Sequence, residues 1–408
     1  MTRTGDILAA TSEAQVAEAV ALANADARRI AVRGAGTKAG VGRPVAADLT
    51  LDVSGLSGVI DYAPAELVLT ARAGTLMADI ERLVDEAGQM LAFEPMDYGP
   101  LLGGAAGAAT LGGVIAANAS GPRRLKDGAA RDHFLGFQAV SGRGEVFKAG
   151  GKVVKNVTGY DLPKLLAGSW GTLAVLTEVT LKVMPKPQTA VTLVLAGLSE
   201  ADAARAMSAA MGSPADVSGA AHLPADVAAR APLAKADAVT LLRLEGFGPS
   251  VAARARRLTE RLAPFGETAV LDAAETGALW RWVRDAVAFT GDSRPVWRIT
   301  APPMSGPAIV AAIRTGIDVE AFYDWAGGLI WLAAPATPDA GAAFIRRLAG
   351  PLGGHATLVR ASAEIRAAVA PFEPEPAALA ALTRRVKVSF DPANVLSPGR
   401  LFADDGAG

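Results

Sequence analysis

Residues 100–183 carry three glycine-dense turns, and their spacing constrains the chain more than any other feature. The first is Thr110-Leu111-Gly112-Gly113, which leads into Ala117-Asn118-Ala119-Ser120-Gly121. The second is Asn156-Val157-Thr158-Gly159-Tyr160-Asp161, and the third is Gly168-Ser169-Trp170-Gly171-Thr172-Leu173. Short β-rich runs separate them, at 137–140, 145–148 and 173–183. Glycine has no Cβ, so its backbone N–H can come close to a ligand. Consecutive N–H groups in such turns form concave, anion-attracting surfaces. The run therefore reads as a holder for one large ligand that carries phosphates.

A further glycine loop lies upstream. A buried strand at 29–32 ends in Arg33-Gly34-Ala35-Gly36-Thr37-Lys38-Ala39-Gly40. The spacing is one residue longer than the dinucleotide fingerprint. Gly40, Gly42 and Pro44 follow, then another strand at 49–53, so no helix opens after the loop. The Rossmann arrangement needs a helix N-terminus facing the pyrophosphate. Nicotinamide binding by that motif is excluded, and a backbone-lined phosphate loop remains.

At 408 residues the chain can form two or more domains, each with its own core. Its net charge of −1, with both signs interspersed, gives no nucleic-acid footprint, and Arg123, Arg124 and Lys126 read as a solvated cluster. It has no cysteine. That rules out disulfides, thiolate nucleophiles, cysteinyl flavin links and cysteine-held iron–sulfur clusters within it, and it fits a reducing compartment. The first residues do not read as a signal peptide. The longest uncharged stretch, 98–122, is mostly Gly and Ala and lacks the large apolar residues of a spanning helix. The expectation is a cytoplasmic protein, with room for peripheral attachment at the inner face of the cytoplasmic membrane through partners.

A helix should start at Thr11-Ser12-Glu13, capped by Ser12 or Thr11, with Val16, Val20 and Leu22 on one side. A strand into a turn at 67–75 and a helix at 76–87 follow. The bend at Pro185-Lys186-Pro187 marks a domain boundary. Beyond it, strands at 191–195, 238–244, 296–300 and 328–333 alternate with helices at 200–211, 250–262, 308–315 and 339–349. This predicts an α+β domain with helices on a sheet. No internal repeat stands out. Helices at 364–370 and 376–387 precede a turn-rich tail at 390–400.

Several linked motifs resemble the vanillyl-alcohol-oxidase, or PCMH-type, FAD flavoprotein superfamily, and within it the family of FAD-binding E subunits of bacterial glycolate oxidase. They are Arg33-Gly34-x-Gly36-Thr37, Ala109-Thr110-Leu111-Gly112-Gly113, Asn118-Ala119-Ser120-Gly121 and Arg131-Asp132-His133-x-Leu135-Gly136. Val157-Thr158-Gly159-Tyr160-Asp161-Leu162, Gly168-Ser169-x-Gly171-Thr172-Leu173 and Asp391-Pro392-x-Asn394 complete the set. The resemblance covers residues 5–187 and the tail from about 385, with a weaker match between.

The resemblance implies an α+β fold: a PCMH-type FAD-binding domain at 1–187, with subdomains of about 1–56 and 57–187. An α+β cap domain at 188–384, a sheet covered by helices, would follow, and a C-terminal segment at 385–408 would return to the FAD domain. The loop Arg33, Gly34, Ala35, Gly36, Thr37 and Lys38 would wrap the pyrophosphate. Thr110, Gly112, Gly113, Ala117, Asn118, Ser120 and Gly121 would line the ribityl chain and isoalloxazine. The backbone of Val175 would meet the adenine, and Arg400 with Asn394 would close the flavin end. Covalent members carry a histidine in the first loop, where this chain has Lys38, so non-covalent FAD is expected. His133 reads as structural, and His222 and His355 as surface histidines.

Related D subunits and D-2-hydroxy-acid dehydrogenases carry a histidine-containing metal motif in the cap. The comparable stretch here, Tyr323-Asp324-Trp325-Ala326-Gly327-Gly328-Leu329-Ile330-Trp331-Leu332, has no histidine. No metal is expected, since one Asp324 does not supply a ligand set. Arg298 and Trp325 are candidate substrate contacts, with Arg281 and Arg284 as further guanidiniums that could meet a carboxylate; no catalytic residue stands out. The resemblance then implies an FAD-dependent oxidoreductase subunit. It would oxidise glycolate or a similar 2-hydroxy acid together with a second FAD subunit and an Fe–S subunit. A non-catalytic structural subunit of the same complex, and a stand-alone 2-hydroxy-acid dehydrogenase, are the other readings.

Overall fold

The computed structural model describes residues 6–152, 159–233 and 237–403. Asn156-Val157-Thr158 of the second glycine turn lie outside the described residues. The chain divides into two compact units.

The first unit comprises residues 1–120, 128–185 and 374–408. It holds a parallel three-stranded sheet in which Leu49–Asp52 lies between Asp6–Ala9 and Ile30–Arg33. The helix Glu13–Ala25 starts at Ser12, whose hydroxyl accepts the Gln15 N–H. Val16, Val20 and Ala23 are its buried residues. Leu22 was expected on that side but is 58% exposed, because 100° per residue carries it to the opposite face.

A five-stranded antiparallel sheet follows, in the order Val59–Ala63, Val68–Arg72, Ala174–Lys182, Phe134–Ser141, Val146–Gly150. The central strand Ala174–Lys182 is buried at seven of its nine positions, as a β-branched strand covered on both faces should be. Ile30 and Leu51 of the first sheet share a core with Val140 and Val175 of the second.

The C-terminal segment belongs to this same core. After the helix Ala377–Phe390, Leu396 pairs in parallel with Ile30. The Ile30 N–H donates to the Val395 carbonyl at 2.8 Å, and the Ser397 N–H to the Ile30 carbonyl at 2.7 Å. Asp391 organises the turn. Its buried carboxylate accepts the Val395 N–H at 2.9 Å, the Leu396 N–H at 2.8 Å and the Lys387 ammonium at 2.5 Å. Lys387 also donates to the carbonyls of Thr172 and Leu396. The segment that rejoins the first unit begins at Pro374, earlier than the expected 385, because Ala377–Phe390 is one continuous helix.

The second unit comprises residues 121–127 and 186–373. The peptide Gly121–Asp127, expected within the FAD domain, is part of it. Its eight-stranded antiparallel sheet runs Thr268–Leu271, Thr189–Ala196, Val239–Gly246, Val217–Leu223, Glu320–Asp324, Leu329–Ala333, Val296–Thr300, His355–Arg360. In chain order, with the helix Ala273–Arg284 standing between the two halves, the strands and the other helices of eight residues or more spell strand–helix–strand–strand–helix–strand twice, the split-βαβ arrangement. An internal repeat of architecture is thus present where none was expected. The first half packs Met207 and Leu258 of its helices on Leu193 and Leu242. The second packs Ile309 and Ile345 on Ile299 and Leu358.

The halves join where His222 pairs with Tyr323. His222 is therefore buried, not at the surface as expected, with Nδ1 3.0 Å from the Thr240 hydroxyl. Burial lowers its pKa to about 4, against the opposing pull of Glu200. His355 is exposed at the start of its strand.

Candidate functional site

The first unit has a partly open cavity of about 330 Å³. It is lined by the loop after Ile30–Arg33, the start of the helix Leu111–Ala116, the turn at Ser169-Trp170-Gly171, the strand residues Ala174, Val175 and Leu176, and Arg400. Among the expected site residues, Arg33, Gly34, Ala35, Gly36, Thr37, Lys38, Thr110, Gly112, Gly113, Val175 and Arg400 converge on this one space.

Each lining segment is held by a local cause. Arg33 pairs with Asp52 across the parallel strands at 2.7 Å, fixing where the loop leaves the sheet. At Gly34 a Cβ would lie 2.5 Å from the Thr110 hydroxyl, so the loop can close on the helix start only without a side chain. The Gly112 N–H donates to the Ala73 carbonyl at 2.7 Å, so it is committed to the protein. The third turn is tied back by the N–H groups of Gly168 and Trp170, which donate to the carbonyls of Ile115 and Ala116. Pairing of Ala174–Lys182 with Val68–Arg72 begins only at Glu178. One edge of that strand is therefore open to a ligand at Ala174–Leu176.

Two cations meet here. Lys38 is 7% exposed, and its ammonium donates to the Thr37 hydroxyl at 3.3 Å. Burial lowers its pKa to about 8; Arg400 adds to the effect and Asp97 opposes it. The Asp97 carboxylate itself accepts the N–H groups of Gly99 and Gly107. Arg400 donates to the Lys38 carbonyl at 2.9 Å, and its guanidinium lies 5.4 Å from the Trp170 ring centre. Glycine-rich backbone, a buried ammonium and an open strand edge suit a long, apolar, phosphate-bearing ligand.

Ala117, Asn118, Ser120, Gly121 and Asn394 do not line the cavity. Asn118 adopts a positive φ of 49° and accepts the Arg131 N–H at 2.9 Å. Ser120 accepts the Ala130 N–H at 2.9 Å. This pair fastens the chain that carries His133, which packs on Phe93 at 5.5 Å. Gly121 belongs to the second unit, where its carbonyl accepts the Trp325 indole N–H at 3.0 Å. Asn394 sits at a positive φ of 52° in the Asp391 turn. Trp170, Ser169 and Thr50 line the cavity without having been singled out. The third turn's glycine density was the signal for the first two, and Thr50 gave none.

The substrate candidates lie in the second unit. Trp325 is buried, with the guanidiniums of Arg124 and Arg298 at 4.2 and 4.9 Å from its ring centre. Asp324 is buried and accepts the Trp325 N–H at 2.7 Å. Arg284 holds Asp285 through two hydrogen bonds of 2.8 Å. No group of three metal-ligating side chains occurs among the described residues. No helix among them is long and apolar enough to cross a membrane.

Residues 6–150 match the family model described as FAD binding domain. In fold the chain is similar to a crystal structure of p-cresol methylhydroxylase with substrate bound. The TM-score is 0.73 at 16% identity, covering 98% of this chain and 89% of that one. The class is a PCMH-type FAD-binding flavoprotein with an added sheet-and-helix cap. Over 388 residues the chain is 34% identical to glycolate oxidase subunit GlcE of Escherichia coli (strain K12), covering 95% of this chain and 96% of that one. It is 28% identical over 417 residues to glycolate oxidase subunit GlcD of Bacillus subtilis (strain 168), covering 92% and 84%. The chain belongs to the family of FAD-binding glycolate oxidase subunits that includes GlcE.

Proposed function

We propose that this chain is an FAD-holding subunit of a glycolate-oxidase-type assembly and leaves oxidation of the 2-hydroxy acid to a second, GlcD-like flavin subunit. The observation that carries this reading is the packing of 323–328. The one carboxylate there is buried on a backbone N–H, and the tryptophan is covered by two guanidiniums. That stretch offers a hydroxy acid neither a base nor a set of metal ligands.

On this reading FAD occupies the cavity of the first unit without a covalent bond, and when bound it supplies two-electron chemistry. The loop Gly34–Lys38 and the Thr110–Gly113 turn hold the dinucleotide, the open edge at Val175 takes the adenine, and Arg400 closes one wall. Residues 1–187 with the returning tail form the FAD domain, and the intervening residues form the cap. An Fe–S subunit, as the resemblance implies, carries electrons onward; this chain itself has no cysteine to hold a cluster. The assembly works in the cytoplasm, at or near the inner face of the membrane.

The test is an anaerobic titration of the FAD-loaded chain with glycolate, alone and with its partners. The flavin of the isolated chain should stay oxidised, and acid precipitation should release it into the supernatant. Bleaching of the isolated chain's flavin by glycolate would sink the reading.

A further inference from the structure

We propose that Trp170 is a positioning residue: it holds the Arg400 guanidinium on the cavity wall, and the pair latches the C-terminal tail shut when the cavity is filled. The proposal rests on the reading that FAD occupies this cavity, and it concerns how the chain keeps that ligand.

The starting point is a conformational cost. Trp170 has a φ of +55°. A bulky residue is strained there, whereas glycine adopts such a φ freely. Gly168 and Gly171 in the same turn have φ of +88° and +72°, so the turn departs from glycine only where the indole stands. Strain of this kind persists where the surroundings over-determine it. The Trp170 N–H donates to the Ala116 carbonyl at 2.9 Å, and the Lys387 ammonium donates to the Thr172 carbonyl at 2.7 Å. The turn is thus fixed on both sides of the indole, which lines the cavity.

What the indole meets is the tail. The Arg400 guanidinium lies 5.4 Å from its ring centre and donates to the Lys38 carbonyl at 2.9 Å. The Arg400 carbonyl accepts the Arg43 N–H at 3.0 Å, and the Ser397 hydroxyl accepts the Val32 N–H at 3.2 Å. One tail residue therefore joins the first glycine loop to the third turn, two cavity walls that are far apart in sequence. A cation–π contact strengthens as water leaves it. Trp170 and Arg400 both line the cavity, so a ligand that fills it excludes water from their contact. Filling the cavity tightens the latch, and by reciprocity the latch raises the affinity of the ligand. Such gains are felt chiefly in the rate of release.

The experiment follows FAD release from the full chain by the rise in flavin fluorescence, with hydrogen exchange of the tail amides at 395–401 as a second readout. Trp170→Gly, which suits the backbone, should release FAD about 10- to 30-fold faster, the range of one desolvated cation–π contact. Trp170→Phe should recover most of the wild-type rate. Added to Arg400→Met, Trp170→Gly should change the rate by no more than about twofold, because its effect runs through that guanidinium. FAD should slow exchange of the tail amides in the wild type and lose most of that effect in Trp170→Gly. Should Trp170→Gly not fold, Trp170→Leu, which keeps bulk and loses the aromatic face, takes its place with the same expectations. An unchanged release rate, effects of the two substitutions that multiply independently, or equal protection of the tail by FAD in the variant would each overturn the proposal. Gly113→Leu, which fills the cavity wall, separates this failure from that of the underlying reading. If it leaves FAD affinity unchanged, FAD does not occupy this cavity. If it abolishes binding while Trp170→Gly releases FAD at the wild-type rate, only the latch falls.

Discussion

The glycine pairs at 112–113 and 327–328 stand in different units and face different neighbours. Gly113 borders the cavity, with a side-chain hydroxyl and an ammonium within reach of an added Cβ. Gly327 has a φ of +97°, and a Cβ there would meet the Pro303 carbonyl at 2.5 Å; one on Gly328 would meet the Ala301 carbonyl at 3.1 Å. In the first pair Gly113 keeps room for a ligand, while Gly112 packs against Ala73. The second lets backbone pack on backbone, and a tryptophan and two guanidiniums fill what space is left. A glycine signals close approach, and only its neighbours tell whether the approaching group comes from outside the chain.

The contrast can be broken from either side. The largest effect should come from Asp391→Ala, which strips a buried carboxylate from Lys387 and two N–H groups. It should cost about 3–5 kcal/mol and free the tail that carries Arg400. Denaturant unfolding should show the loss and FAD titration a weaker site; unchanged FAD affinity would separate the tail from the cavity. Trp325→Ala should cost the second unit about 3–4 kcal/mol while FAD affinity stays at the wild-type value. A fall in FAD affinity would show that the packed stretch serves the flavin after all.

Acid provides a graded test of the second unit. Burial alone would raise the pKa of Glu245, but Arg243 and Arg123 outweigh it and bring it to about 2. The Arg123 contacts are 2.7 and 3.0 Å. This depressed carboxylate contributes stability that is present above pH 4.5 and lost as the pH falls toward 2, about 3 kcal/mol in all. His222 adds an earlier loss between pH 6.5 and 4, because the unfolded chain takes up its proton first. Unfolding followed against pH should show both limbs, and His222→Asn should remove the upper one. The smallest effect should be that of Arg298→Ala. Losing one guanidinium from the indole should cost about 1 kcal/mol, read as a slight shift in thermal unfolding, with no change in the complex's KM for glycolate. A raised KM would return Arg298 to the substrate site.

The glycine loops were legible in the sequence because a missing Cβ leaves few physical explanations. Their neighbours were less so. Asp6–Ala9 was missed because four residues at an edge carry too little periodicity to stand out. Val217–Leu223, reading VSGAAHL, is buried throughout yet is made of residues with weak strand preference. Losing it hid the repeat in the cap and left His222 looking like a surface residue. Asp391 was visible as a motif, but its work depends on Lys387 and, through it, on the Thr172 carbonyl more than two hundred residues away along the chain. Asn118 and Ser120 show the reverse error: their residue types suit a ligand, and they serve the backbone of the next turn instead.

The parallel pairing of Ile30 with Leu396 also orders events in time. The strand that opens the Gly34–Lys38 loop waits for a partner made about 370 residues later, which at about 5–20 residues per second is some 20–70 s of synthesis. Through that interval the cavity lacks the wall that carries Arg400. On the proposed reading of this cavity, flavin capture is a closing step of biogenesis, and a chain released after residue 373 should purify colourless.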